Sequence, residues 1–321
     1  MRARLWIACL VLLLLGSDGA EELEVASLWS EASQPNLEAD LRILSGVDPL
    51  DGAAIVSRNI HHPDHARAQA WLRGRLQSIP GLVVTEEDFD GAGEANTNLI
   101  AQLDGLGTDP ELVIVGAHYD STASGEPGYD PLVDPAPGAD DDASGVSAVL
   151  EIARLMAAWP GGFEHDVRFV LFDAEEEGLL GSFEHAGNLS GTVRLMASLD
   201  PIGFNAGGED KLWFVWEERW PETRDALEAQ AAALDTYLGI GSLEAGFIGG
   251  DERSDHFPFW EAGHPALHVA SFPQPPAYHT PEDTFDVVDP RFLREVTGLL
   301  AAHFAAVAEP LPVEGAGCAC R

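Results

Sequence analysis

Residues 111–120 read ELVIVGAHYD. An apolar, β-branched run passes without alternation into His118 and Asp120. A strand with one wet face would alternate, so an unbroken run of this length has the form of a strand buried on both faces, as in a parallel sheet. DVRFVLFDAEEEG at 166–178 and LMASLDPIGF at 195–204 repeat the form, each ending in acids. Helical spacing marks residues 21–45, 64–78, 144–159, 221–238 and 289–307. GLVVTEEDF (81–89), NTNLIAQLDG (96–105), KLWFVW (211–216) and HPALHVAS (264–271) read as further strands, and a Gly- and Pro-rich loop runs from Ser121 to Pro137. Strands alternating with helices predict an α/β fold: a mostly parallel central sheet with helices on both faces, in one domain spanning about 21–312. The acids then fall at the carboxyl edge of the sheet, where open α/β sheets bind ligands.

The chain of 321 residues carries 54 acids against 17 bases, a formal charge of -37. Phosphate-bearing partners would be repelled, which excludes nucleic acid and anionic membrane surfaces. Arg2 and Arg4 precede the short apolar run LWIACLVLLLLG, followed by polar SDGAEE. This is the form of a secretory signal peptide ending near Ala20, too short for a comfortable membrane span. It predicts a secreted or periplasmic protein with no membrane attachment after cleavage. Cys9 lies inside the apolar run, and Cys318 and Cys320 lie in the tail 313–321, expected to be disordered. No disulfide framework is available to the core.

Taken in order, the strand ends offer His118 and Asp120, the run Asp140–Asp141–Asp142, then Glu175, Glu176 and Glu177, Asp200, Asp255 and His256, and His279. Three adjacent aspartates repel one another, so GADDDASGV at 138–146 is either a solvated loop or a cation site. Any one of these acids, taken alone, reads more readily as a solvated loop residue than as a ligand. Jointly they form a nitrogen and oxygen donor set without cysteine, of the kind that open catalytic zinc sites use. His268 reads as a core histidine, and His61, His62 and His65 as surface residues.

The ordered set AHYDS, GADDDASG, AEEEGLLGS, SLD, SDHFPF and YHTPEDT resembles the secreted two-zinc aminopeptidases of the bacterial leucyl aminopeptidase type, from about Leu41 to about Val307. The resemblance implies a single zinc-exopeptidase domain holding two Zn2+ ions and acting on peptides with a free N-terminus. It implies that Asp141 bridges the metals, that Glu176 and His279 complete one site, and that His118 and Asp200 complete the other. Glu175 is implied as general base, activating a water shared by the metals. Asp120 is implied as the partner orienting His118, and Asp255 as a supporting acid. The peptide bond after Asp141 is expected to be cis. Asp140 is given no role and is expected to be solvated.

Two departures stand out. Pro201 follows Asp200, where an apolar residue such as Met is common. The stretch FIGGDERSDH lacks a disulfide that some members carry, and has Asp251, Glu252 and Arg253 there instead. If that loop lines the pocket for the first residue, an acidic lining would favour a basic one. Three other readings share the motifs. Glutaminyl cyclase uses one zinc and has Trp before its last histidine, where this chain has Tyr278. A lidded two-zinc carboxypeptidase or deacylase needs a long insertion before His279, which is absent. A metal-free binding module of this fold, as in the transferrin receptor ectodomain, predicts eroded ligands, whereas all five ligand positions and the base are present.

Overall fold

The computed structural model describes residues 27–238 and 244–311. The signal-peptide segment and the tail with Cys318 and Cys320 lie outside them. The three apolar runs form adjacent central strands. In chain order the strands are β1 (Val83–Gly91), β2 (Glu94–Leu103), β3 (Leu112–His118), β4 (Asp166–Phe172), β5 (Val193–Leu199), β6 (Lys211–Trp216), β7 (Glu244–Gly249) and β8 (Ala266–Ser271). They make one eight-stranded sheet in the order β1-β2-β4-β3-β5-β8-β6-β7. The central neighbours β4, β3, β5 and β8 run parallel, as do β6 and β7. Three pairings are antiparallel: β1 with β2, β2 with β4, and β6 with β8. The sheet is therefore mixed, with a parallel centre.

The helices are α1 (Ser27–Glu31), α2 (Gln34–Leu44), α3 (Pro63–Gln77), α4 (Ala143–Ala157), α5 (Leu180–Asn188), α6 (Pro221–Leu238), α7 (His256–Glu261) and α8 (Pro290–Val307). Local signals start several of them. Asp289 caps α8 by accepting from the amides of Arg291 and Phe292, with Pro290 in the first turn, where its missing N–H costs nothing. Helices α5 and α7 and strand β7 were not legible in the sequence. LGSFEHAGN and EAGFIG each hold two glycines, and HFPFWE is one turn and a half with an internal proline.

The sheet has a core on each face. On one side Val113, Val115, Phe169 and Leu171 pack with Val149, Ile152, Phe292 and Leu300 of α4 and α8. On the other, Ile114, Val170, Phe172 and Met196 pack with Phe259 and Trp260 of α7. Alternate residues of β3 and β4 thus enter different cores, which is why β3 is buried along its whole length and β4 over its second half. Among the described residues no helix is long and apolar enough to cross a membrane.

Truncating Phe169, fully buried, to Ala should cost about 3–5 kcal/mol of stability. Leu132→Ala, at a side chain 58% exposed, should stay within about 0.5 kcal/mol of wild type. Urea midpoints of the two variants check this.

Candidate active site

Four parallel strands end side by side along one edge. The chain leaves β3 for β4 on one side and returns to β5 on the other, which opens a crevice at the carboxyl end of β3. β3 ends on His118, followed by Asp120. The turn after β4 carries Glu175 and Glu176, and β5 is followed at once by Asp200. The segment after β8 brings His279, and the acid run 138–142 arrives just before α4.

These side chains converge. Asp141 Oδ1 lies 3.0 Å from His118 Nε2, and Asp141 Oδ2 lies 3.1 Å from His279 Nε2. His118 Nε2 is also 3.5 Å from Asp200 Oδ1, and His279 Nε2 is 3.1 Å from Glu176 Oε2. One carboxylate therefore faces two histidine–acid sets, one oxygen to each. Glu175 Oε2 stands 4.0 Å from His118 Nε2. The Asp141–Asp142 peptide is cis. The donors His118, Glu175 and Glu176, and separately Asp141, Glu176 and His279, come within 4.8 Å of one another, as do His118, Asp142 and Asp200. Glu176 Oε1 is buried with no hydrogen-bond donor. An orphaned carboxylate oxygen among nitrogen and oxygen donors, with no sulfur, is what a zinc-type cation would complete.

Without a cation, these buried groups shift one another's titration. Burial works against charge on His118, but the carboxylates of Glu175 and Asp200 overcome it and hold the imidazole well above its usual range. His279 is likewise raised, against the burial penalty, to about 10 by Asp141 and Glu176. Burial opposes ionisation of Asp141 too, but hydrogen bonds to the two histidines hold its carboxyl below the usual range. Burial pushes Glu175 well up, Glu176 to about 7 and Asp255 to about 7.

Around this centre the backbone is tied by side chains. Asp120 has an oxygen 3.4 Å from His118 Nδ1, and it also accepts from the amides of Glu175 (3.0 Å) and Glu176 (3.2 Å). It thus joins three candidate site residues rather than one. Asp142 caps α4 by accepting from the Gly145 amide at 2.9 Å. A Cβ on Gly145 would lie 2.0 Å from the Leu199 carbonyl oxygen, so only glycine lets the helix start press against the end of β5. His268, buried as expected for a core histidine, donates from Nε2 to the carbonyl of Asp200.

Sequence reasoning missed several participants. Asp140 is not solvated but fully buried. It accepts from the Gly203 amide at 2.7 Å, and burial pushes its carboxyl well up. Asp283, within the YHTPEDT stretch, accepts from the amides of Asp140 and Asp141, both at 3.0 Å, so it fixes the backbone that aims Asp141. Arg58 is fully buried and donates to the carbonyls of Leu44, Tyr119, Pro137 and Gly138, tying the end of β3 to the acid run. His65 is buried rather than on the surface. Tyr278 stacks on His279 with ring centroids 3.8 Å apart, and burial with the surrounding acids raises its phenol pKa. In the 251–253 loop, Arg253 grips both oxygens of Asp251, with contacts of 2.6 to 3.0 Å. That neutralises Asp251, one of the two acids in the loop.

A sequence model described as peptidase family M28 matches residues 98–304, the span from β2 into α8 that holds every converging residue. The chain belongs to peptidase family M28. The uncharacterized protein YfbL of Escherichia coli is 31% identical over 280 residues, covering 79% of this chain and 82% of its own. Aminopeptidase YwaD of Bacillus subtilis is 33% identical over 206 residues, 60% of this chain but only 40% of YwaD, so the chain spans less than half of that relative. Among solved structures, the LapA aminopeptidase of Legionella pneumophila superposes with a TM-score of 0.74 at 22% identity, over 93% of this chain and 76% of LapA. A glutaminyl cyclase of Bacteroides thetaiotaomicron gives 0.67 at 21%, over 84% and 97%. The M28 fold is thus shared with a cyclase, and at these identities the two likenesses speak for the fold alone.

The pH dependence of the metal-free M28 chain follows from these shifts. The pairing of His279 is fully stabilising below the unfolded histidine value of about 6.5 and is lost as pH rises through about 10. The carboxyls raised by burial act in the same direction, because ionising them in place costs stability. The melting temperature of chelator-stripped protein should fall steadily from pH 6 to pH 9. Added zinc should reduce that slope and release protons, read by calorimetry in buffers of different ionisation enthalpy.

Proposed function

We propose that the protein is a secreted metal-dependent aminopeptidase that removes the N-terminal residue from peptides. What supports this reading is the split of Asp141, with one oxygen toward His118 and Asp200 and the other toward His279 and Glu176, beside a buried Glu175. His118, Asp141 and Asp200 would hold one zinc ion, and Asp141, Glu176 and His279 the other. When bound, such a pair supplies Lewis-acid polarisation of the scissile carbonyl and a water of lowered pKa.

The protein's own residues do the rest. Glu175 is no member of either ligand set. Burial pushes its carboxyl well up, which suits a group that takes a proton from the attacking water and returns it to the leaving amine. Asp120 holds the Glu175 amide, so the base and the His118 ring share one anchor. Tyr278, raised and therefore protonated, keeps an O–H donor on the rim, suited to oxygen charge that develops at the carbonyl. The acids of the crevice favour the ammonium of a free N-terminus and disfavour a blocked one. Residues 1–20 carry the secretion part of the reading.

The cyclase is the second reading. Tyr278 in place of its usual Trp and the complete two-set donor array weigh against it. A metal-free module would have no use for intact ligands. Free and N-acetylated aminoacyl peptides, run with and without chelator beside a Gln-peptide cyclisation assay, separate the three. Only free peptides should be cleaved, and chelator should abolish cleavage. Pyroglutamate formation without hydrolysis would favour the cyclase, and no bound metal and no turnover would favour the module.

Glu175→Gln should keep its bound zinc and lose roughly 10²–10⁴ of kcat. Metal analysis and steady-state kinetics on one sample check both halves.

A further inference from the structure

The turn that presents Glu175 and Glu176 is anchored from behind by a second buried network, outside both ligand sets. Asp173 is fully buried at the end of β4. Its Oδ1 accepts from the Ala174 amide at 3.0 Å, and its Oδ2 from the Thr97 amide at 2.9 Å and the Tyr119 hydroxyl at 2.7 Å. The next residue, Ala174, has φ +55°, a left-handed conformation that a non-glycine residue adopts only when its surroundings impose it. His65, in the first turn of α3, closes the network. Its ring stacks on Tyr119, with centroids 5.2 Å apart and planes at 16°.

Both ring nitrogens of His65 face acceptors. Nδ1 is 2.8 Å from the carbonyl oxygen of Arg58, and Nε2 hydrogen-bonds Asp173 Oδ2 at 3.3 Å, with Oδ1 at 3.2 Å. A backbone carbonyl can only accept, so Nδ1 carries a proton. A carboxylate that already accepts from neighbouring N–H and O–H groups also calls for a donor, so Nε2 carries one as well. Tautomers follow from such partners, and this pair of partners selects the imidazolium. We propose that His65, as an imidazolium paired with Asp173, is a positioning residue that braces the Ala174 turn and so sets the aim of Glu175. The inference rests on the aminopeptidase reading only for its kinetic consequence.

The groups facing His65 are consistent with this. Asp173 is in contact and Asp120 lies behind it. Tyr119 offers its ring face, and Arg58 turns its carbonyl to His65 while its guanidinium is bonded to backbone carbonyls. Burial disfavours charge on the ring, but Asp173 outweighs it and raises the imidazole above its usual range. The stabilisation from the pair is therefore complete below the unfolded value of about 6.5 and lost as pH rises through the folded one.

The test uses the zinc-loaded full chain with His65→Gln, which keeps a neutral donor, and His65→Phe, which keeps the stacked ring. Amides 174–176 should exchange with solvent faster in both variants than in wild type, a readout that needs no turnover. On the aminoacyl anilide that wild type hydrolyses best, kcat should fall roughly 10- to 100-fold, with KM and bound zinc unchanged. The gap in melting temperature between wild type and His65→Phe should be widest at pH 6 and shrink by pH 9. Unchanged exchange at 174–176, a full kcat despite a lowered melting temperature, loss of zinc, or a pH-independent gap would each overturn the proposal. If wild type hydrolyses no anilide, the aminopeptidase reading fails instead, and the exchange and melting results still decide the brace.

Discussion

Carboxylates removed from water beside one another are the constraint on which this structure depends. Asp120, Asp140, Asp141, Asp142, Asp200, Asp255 and Asp283 are all buried at one edge of the sheet, with Glu175. Such a group cannot all ionise without cations or many donors. Here the donors are mostly backbone amides, and each one used fixes a piece of chain. Asp283 holds the amides of Asp140 and Asp141, Asp140 holds that of Gly203, Asp142 holds that of Gly145, and Asp120 holds those of Glu175 and Glu176. The electrostatic problem and the positioning problem share one solution. What stays unsolved by amides is the centre, where Asp141 meets two imidazoles.

The sheet makes this possible at modest cost. The parallel strands β3, β4 and β5 end side by side and present His118, Glu175 with Glu176, and Asp200 directly, while longer connections after β3 and β8 bring in Asp141 and His279. The antiparallel edges extend the sheet but contribute none of the converging donors. Arg58 reaches across from outside the sheet and binds carbonyls on both sides of the crevice. Its charge is permanent, and it faces the field of Asp283, Asp142, Asp120 and Asp141.

The rim follows a different rule from the centre. The Asp251–Arg253 pair is neutral as a unit, and its guanidinium is exposed. There Asp251 is paired with Arg253, while the acids at the centre converge on one another and on two imidazoles.

The sequence by itself determined the strand runs of the parallel centre, the helices with clear apolar spacing, and the residue types that meet at the carboxyl edge. It could do so because burial on both faces removes alternation, and because β3, β4 and β5 each run directly into an acid or histidine. The distribution of labour among the acids was decided only by tertiary structure. Asp140, Asp141 and Asp142 are identical in type and adjacent in sequence, yet one meets Gly203, one faces two histidines and one caps a helix. His65 looked like a surface residue, and Asp283 was given no role. Their partners lie far along the chain, at Asp173 and at Asp140 and Asp141. A hydrogen-bond partner distant in sequence leaves no local pattern, so only the folded chain could reveal it.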